Sequence, residues 1–272
     1  MEFNIKEYLK LLDENKDKEA FKYRTNNMPS MIYKYVSLND DKDLNNKKFT
    51  ALGNNKIWLS TYNNLNDPYE LKSLYLNKKV LEEYKWPIDM LEDVMEQIRK
   101  SFLIGSFTRS VTDNMPMWAH YANNHRGFCI KYKINNAQYL YKVSYESNRV
   151  AIASIITHFI HSIDKVENNT PIGNTDYKYC KIIQHVPTIK HKSWKYEDEY
   201  RIIFPNFKRD AIGRLCKNDK LGILIDSIYV GSNCCDYNIQ KLKYIGKTLN
   251  CKVYKMFLDE YESKYSLKYR MI

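Results

Sequence analysis

Three carboxylates and an arginine lie close together in the segment WKYEDEYRIIF, residues 194–204. Successive side chains of a strand alternate between its two faces, so Glu197, Glu199 and Arg201 would share one face of a strand here. That charged face would either line a cleft, where a fixed carboxylate stabilises a positively charged transition state, or meet water with cross-strand ion pairs. We expect Glu199 to lie beside a cleft because it shares its face with Arg201, and both interpretations stay open for Glu197.

A second acidic motif, NDPYE, occupies residues 66–70. Its Asn and Asp are typical of a turn, because their side chains hydrogen-bond nearby backbone groups, and Glu70 is suited to cap the following segment. The chemical alternative is an acidic pocket in which Asp67 and Glu70 join Glu199 and His120, bind a metal and cleave phosphodiesters.

The segment MWAHYANNHRG, residues 117–127, combines aromatic and polar side chains on a predicted short helix. We expect its large aromatic side chains to fill core, with Trp118 and Tyr121 also the aromatic candidates for contact with a substrate. His120 and His125 are the polar members that would reach a site.

These motifs resemble, in content and order, a bacterial family of proteins of unknown function. The family pattern is N-D-P-x-E, then M-W-x-H-Y-A with G-F-C-I, then W-x-x-E-x-E-Y-R, and the resemblance spans about residues 31–257. This resemblance identifies a family without implying a reaction.

The chain is also, more distantly, similar to ADP-ribosyltransferases, which carry a polar residue on the first strand, a serine motif on a later strand and a late E-x-E. The resemblance implies an ADP-ribosyltransferase-like fold, NAD as substrate, and a second glutamate that holds the nicotinamide ribose. The matching positions in this chain are Tyr33 or Tyr35, then Ser60 and Thr61 or Ser106 and Thr108, then Glu197 and Glu199.

The implied chemistry is loss of nicotinamide through an oxocarbenium-like ribose, whose charge a carboxylate stabilises as in glycoside cleavage. Tyrosines would stack on nicotinamide or adenine, and Arg201 or a lysine would pair with the pyrophosphate. The first strand lacks the expected Arg or His and offers Lys34 or a tyrosine instead, and the serine-to-glutamate separation is long.

Three hypotheses follow: an NAD-using ADP-ribosyltransferase-like toxin or phage-defence effector that modifies nucleic acid or protein, a metal-dependent nuclease, and a non-catalytic module that binds nucleotide or nucleic acid. We assign no metal ligands, because His158 and His161 lack acidic or thiol partners at ligand spacing. The candidate catalytic residues are Glu199, Glu197, Tyr35 and His120, and the candidate substrate-binding residues are Tyr33, Ser60, Asn66, Asp67, Glu70, Trp118, Tyr121 and Arg201.

The net charge of +11 favours anionic partners, although the lysines are spread along the chain without a basic tail. No run approaches the roughly 20 apolar residues of a membrane helix, and the first residues lack a signal peptide's pattern. We therefore predict a cytoplasmic protein with reduced cysteines and no membrane partner, which binds nucleotide or nucleic acid and whose activity an antitoxin or defence partner would restrain.

Hydrophobic periodicity predicts helices over residues 3–23, 78–101 with a break near Trp86, 115–126, 150–163 and 236–249. Short β-branched and aromatic runs predict strands at residues 31–38, 57–60, 102–108, 128–132, 200–204, 222–232 and 251–257. We predict an α+β fold with a central, mostly antiparallel sheet and flanking helices. It comprises an N-terminal helical extension, residues 1–30, and a single domain, residues 31–272.

Overall fold

The structure, a computed structural model, describes residues 3–151, 153–208, 211–263 and 265–272. The helices are α1 Ile5–Asp13, α2 Asp17–Asn26, α3 Lys42–Gly53, α4 Lys78–Glu83, α5 Ile88–Lys100, α6 Met115–Tyr121, α7 Ala153–Glu167, α8 Asn174–Ile183 and α9 Asp236–Thr248. The strands are β1 Met31–Val36, β2 Lys56–Ser60, β3 Leu74–Tyr75, β4 Phe102–Phe107, β5 Phe128–Ile134, β6 Leu140–Lys142, β7 Ser144–Glu146, β8 Val150–Ala151, β9 Ile189–His191, β10 Tyr200–Pro205, β11 Gly213–Lys217, β12 Ile223–Val230, β13 Lys252–Leu258 and β14 Leu267–Met271. Short 3-10 helices span Tyr62–Asn64, Val186–Thr188, Lys192–Glu197 and Asp219–Leu221.

The described strands include two five-stranded sheets, with the orders β1-β5-β12-β13-β14 and β11-β2-β4-β10-β6. Every pairing in the second sheet is antiparallel, and in the first only β12 and β13 run parallel, with α9 as their connection. The predicted α+β class and mostly antiparallel pairing are confirmed. The single central sheet is replaced by two sheets of equal size.

The two sheets meet where the end of β4 crosses β1. The backbone groups of Tyr33 and Thr108 exchange two hydrogen bonds, of 2.9 and 2.8 Å, outside the regular ladders. Both sheets contribute to one buried apolar cluster, for example Ile32 and Tyr132 from the first and Leu59 and Ile202 from the second. The two sheets therefore share one core, and a cleft lined by β1, β2 and β4 lies beside their junction.

The helix predictions hold best where apolar spacing is regular. The predicted helix over residues 78–101 divides near Trp86 into α4 and α5, as expected, whereas the N-terminal helix divides at Asn15, whose φ is 56°. The polar stretch 39–55, predicted to connect two strands, contains α3, whose N-terminus is capped by Asp41 at 2.9 Å from the Leu44 amide.

The apolar helix predicted over residues 150–163 begins at Ala153 as α7, after the short strand β8. An apolar run of this kind favours burial on all sides, but only part of the helix is buried: Ile156 is 0% exposed, whereas Ile163 and Val166 are 41% and 60% exposed. The described residues of α7 pack against α5 and α8.

The N-terminal helices are fixed to the rest of the chain by a buried arginine. Arg24 of α2 is 2% exposed and donates to the carbonyl oxygens of Ala137 at 3.1 Å, Gln138 at 2.9 Å and Leu140. Lys181 of α8 adds an ion pair of 2.6 Å with Asp17.

Within the described part of the chain, none of the helices combines the length and the apolar character needed to cross a membrane.

Candidate functional site

A cleft of about 400 Å³ lies beside the junction of the two sheets. Its walls come from five separate parts of the chain: β1, β2 with the loop after it, β4, α6, and the segment from β9 to β10. Each of the motifs singled out in the sequence contributes at least one side chain. The lining includes Tyr33, Tyr35, Ser60, Asn66, Glu70, His120, Tyr121, Glu197, Glu199 and Arg201, which are ten of the twelve candidate residues.

Arg201 forms the floor of the cleft and is completely buried. Its guanidinium donates to Glu70 at 2.5 and 2.9 Å, to Glu199 at 2.8 and 3.0 Å, and to the carbonyl oxygen of Pro187 at 2.7 Å. Glu70 is therefore the partner of a buried cation, which replaces the capping role predicted from its motif. Because Arg201 offers a planar array of donors, it can bind both carboxylates at once.

The strand predicted over residues 200–204 is confirmed as β10, but the strand-like alternation expected from Glu197 onward does not extend before Tyr200. Glu197 ends the 3-10 helix Lys192–Glu197, and Asp198 has a left-handed backbone with φ of 39°. Glu197 therefore does not share a strand face with Glu199, and the two carboxylates reach the cleft from different elements. The solvent-exposed interpretation of this face is wrong, because Glu197 and Glu199 are only 3% and 4% exposed.

Lys190, on β9, joins the two glutamates. Its ammonium lies 2.6 Å from Glu197 Oε2 and 3.3 Å from Glu199 Oε2, and 4.6 Å from the centre of the Trp194 ring. The sequence does not single out Lys190, since one lysine in a lysine-rich chain carries no distinguishing pattern. Its position depends on the parallel pairing of β9 with β7, which only the folded chain shows.

The second oxygen of Glu197 binds α6. Tyr121 donates its hydroxyl hydrogen to Glu197 Oε1 and accepts a hydrogen bond of 2.6 Å from the Asn66 side chain. Burial and the neighbouring carboxylate raise the pKa of Tyr121. His120, exposed at the rim, lies 3.2 Å from the hydroxyl of Tyr196.

The surrounding charges shift the pKa values of Glu197 and Glu199 in opposite directions. Burial alone would raise the pKa of Glu199, but Arg201 and Lys190 outweigh it and lower that pKa. Burial and the charge of Glu199 raise the pKa of Glu197 above its ordinary value. Lys34 on β1 also faces the cleft, donates to the Ser106 carbonyl oxygen at 3.3 Å, and has a pKa lowered by burial to about 8.

Trp118 does not line the cleft, and its predicted contact with substrate is wrong. It is completely buried, donates from Nε1 to the Val111 carbonyl oxygen at 2.8 Å, and packs edge-on against Tyr35. His125 stacks on the other side of the Trp118 ring, with ring centres 5.8 Å apart, and also lies outside the cleft. Large size and poor solubility in water favour the core for Trp118 over a binding surface.

Asp67 is also absent from the lining. Its Oδ1 accepts a hydrogen bond of 2.8 Å from the Tyr69 amide, and its carbonyl oxygen accepts one of 3.0 Å from the Glu70 amide. Asp67 therefore forms the predicted turn. This turn places Glu70 where its carboxylate contacts Arg201.

Metal binding was one chemical possibility for these carboxylates. Among the described residues, no group of three or more His, Cys, Asp or Glu side chains is arranged to hold a metal ion. In the cleft the reason is visible: Glu70 and Glu199 share one guanidinium, and Glu197 and Glu199 share one ammonium.

Comparison with known proteins supports the family resemblance over part of the chain. No curated protein and no solved structure matches the chain. A family model matches the segment that starts in α6 and ends in β10, which holds Tyr121, Lys190, Glu197, Glu199 and Arg201. The predicted resemblance to a family of unknown function is confirmed for this segment: residues 117–202 match the family described as Protein of unknown function (DUF2971).

Proposed function

We propose that the protein is an ADP-ribosyltransferase-like enzyme that cleaves the bond between nicotinamide and ribose in NAD. The single observation that carries this proposal is the convergence of two buried glutamates, Glu197 and Glu199, on the floor of a cleft with aromatic walls. A planar nicotinamide fits against aromatic rings, and the ribose above a carboxylate.

The carboxylates at the floor of the cleft outnumber the cations that bind them. Among the described residues, three carboxylates, Glu70, Glu197 and Glu199, share two cations, Arg201 and Lys190. This group of five has one negative charge in excess, which the ammonium of Lys34 in the same cleft offsets below its pKa of about 8. Loss of nicotinamide creates an oxocarbenium-like ribose, and preorganised negative charge in a dry site lowers the energy of that state.

The two glutamates have different capacities for a ligand. Glu199 accepts from Arg201 Nε and Nη2, from Lys190 and from Ser106, which fills the roughly four lone-pair sites of a carboxylate. Glu197 accepts from Tyr121 and Lys190 and keeps capacity for a ribose hydroxyl. We assign contact with the ribose to Glu197, and to Glu199 the positioning of the cations beneath it.

The aromatic wall supplies the second half of the site. Tyr33, Trp58 and Tyr121 line the cleft from three different elements, and Trp58 is 42% exposed. Rings that are partly exposed in the free protein can stack on nicotinamide or adenine without rearrangement of the core.

The nuclease hypothesis has less support, because the cleft carboxylates already neutralise Arg201 and Lys190, so a metal ion would have to displace those cations. The cytoplasmic location, the modification of nucleic acid or protein, and a role as toxin or phage-defence effector under the control of a partner belong to the same proposal. They rest on the sequence resemblance.

Nicotinamide release from NAD by the purified protein tests the proposal, with and without cell extract as a source of acceptor. We expect release by the unchanged protein and a fall of roughly 100-fold or more in Glu197→Gln, since loss of one preorganised electrostatic group has effects of that size. Glu260→Gln, on the surface, is the matched control and should retain full release.

Two results would count against the proposal. The first is no release under either condition, which would favour a binding module. The second is release that is unchanged in both Glu197→Gln and Glu199→Gln, which would place the chemistry elsewhere.

A further inference from the structure

A second cavity, of about 630 Å³, shares Lys190 with the cleft among its lining residues. It is formed by the segment that follows the NDPYE turn, by residues 146–149 and by β9. We infer that this second cavity binds single-stranded nucleic acid, with phosphates on its basic side chains and a base on its exposed tyrosine.

The charge of the second cavity fits a polyanion. Lys72, Arg149 and His191 lie around it, and Glu146 is the one acidic side chain among its described lining residues. Glu146 accepts a hydrogen bond of 2.6 Å from Ser144. Basic side chains along a groove attract the phosphate backbone without selecting a sequence.

Arg149 is held in place before any ligand binds. Its Nε donates to the Lys72 carbonyl oxygen at 2.5 Å and its Nη2 to the Leu74 carbonyl oxygen at 3.3 Å, although the residue is exposed. A guanidinium fixed in this way loses less conformational entropy when it binds a phosphate than a free side chain would.

Two tyrosines flank this guanidinium. The guanidinium carbon of Arg149 lies 5.7 Å from the centre of the Tyr69 ring and 5.2 Å from that of Tyr75. Tyr69 is 57% exposed, so one face of a large ring is open to solvent beside a fixed cation. Stacking rings interleaved with cations are the usual means of binding single strands, whereas an acidic peptide would use the charges and leave the exposed ring without a partner.

The position of the cavity suggests why the molecule would bind a strand there. Lys190 lines both cavities, so a strand in the second cavity would lie next to the residue whose ammonium pairs with Glu197. Use of the strand as the acceptor of ADP-ribose rests on the proposed function, but binding itself does not. We therefore test binding in the absence of NAD.

The experiment measures the fluorescence anisotropy of a labelled single-stranded RNA, and of the equivalent DNA, over a series of salt concentrations. We expect the double variant Lys72→Gln/Arg149→Gln to reduce the slope of log affinity against log salt by about 1.4, roughly 0.7 for each lost phosphate contact on a single strand. Tyr69→Ala should weaken binding by roughly tenfold at constant salt, because base stacking is worth about 1–3 kcal/mol.

Matched controls separate this site from general charge. Lys243→Gln/Lys247→Gln on α9 removes the same charge from an exposed surface, and Tyr244→Ala removes a tyrosine that is 73% exposed. Thermal unfolding of every variant checks that the fold is retained. Equal losses in the control variants, no binding at low salt, or competition by polyglutamate as strong as by unlabelled RNA would each overturn the inference, whatever the outcome of the nicotinamide assay.

Discussion

Arg201 and Glu70 are 131 residues apart in the chain and form a buried ion pair with contacts of 2.5 and 2.9 Å. Arg201 lies on β10, between β4 and the edge strand β6 of the second sheet, and Glu70 ends the turn that follows β2. The pair ties two of the sequence motifs into one structural unit. Two motifs that look independent in the sequence therefore depend on one another for their fold.

Removal of the guanidinium should be costly. Arg201→Met leaves Glu70 and Glu199 buried without their shared cation, and we expect the free energy of unfolding to fall by about 3–5 kcal/mol. Urea unfolding followed by circular dichroism measures this loss. Arg270→Met, on an exposed position of β14, is the control and should change stability by roughly 0.5 kcal/mol or less. Equal losses in the two variants would contradict the assigned role of Arg201.

The stability of the protein should depend on Lys34 at alkaline pH. Burial lowers the pKa of Lys34 from 10.5 to about 8, against the opposing influence of Glu199. Between these two pH values the unfolded chain keeps the proton and the folded chain releases it, so stability increases as pH rises through this interval. Below about pH 8 the buried charge opposes folding to its full extent.

The difference between the unchanged protein and Lys34→Met isolates this effect from other titrating groups. We expect the free energy of unfolding of the unchanged protein, relative to Lys34→Met, to rise by on the order of 2 kcal/mol over this pH interval. Urea unfolding at several pH values measures it. The same comparison with Lys243→Met, an exposed lysine of α9, should be flat. A flat result for Lys34→Met as well would show that Lys34 is not desolvated in the folded protein.

The local sequence pattern is sufficient to predict some helices and strands of this fold, but it is not sufficient to predict which side chains meet in the cleft. Regular apolar spacing predicts α5 and its break from α4, and β-branched runs predict β1, β4 and β5. The prediction is wrong for the segment before β10, where the sequence alternates in the way a strand does. That segment is a 3-10 helix, which ends at the left-handed backbone of Asp198. Residues placed by non-local pairing, such as Lys190, leave no local signal at all.

Tyr121 links α6 to the floor through its hydroxyl. Tyr121→Phe removes the donor to Glu197 and the acceptor for Asn66, and leaves the ring in place. We expect a loss of about 1–3 kcal/mol in the free energy of unfolding, since Glu197 Oε1 remains buried without its partner. Tyr244→Phe, at a position 73% exposed, is the control and should have no effect. An unchanged melting temperature in Tyr121→Phe would show that water replaces the lost hydroxyl.

Two tryptophans should respond in opposite ways to the same substitution, because one lies in the core and one in the cleft. Trp118 is completely buried and donates to the Val111 carbonyl oxygen, whereas Trp58 is 42% exposed and lines the cleft. Trp118→Phe removes buried volume and leaves that carbonyl oxygen unpaired, so we expect a loss of about 2 kcal/mol or more in stability with little change in NAD binding. Trp58→Phe should leave stability nearly unchanged and weaken NAD binding, because a smaller ring offers less stacking area. Calorimetric titration with NAD beside thermal unfolding distinguishes the two patterns. If NAD binding weakens in Trp118→Phe and not in Trp58→Phe, NAD does not occupy the cleft that Trp58 lines.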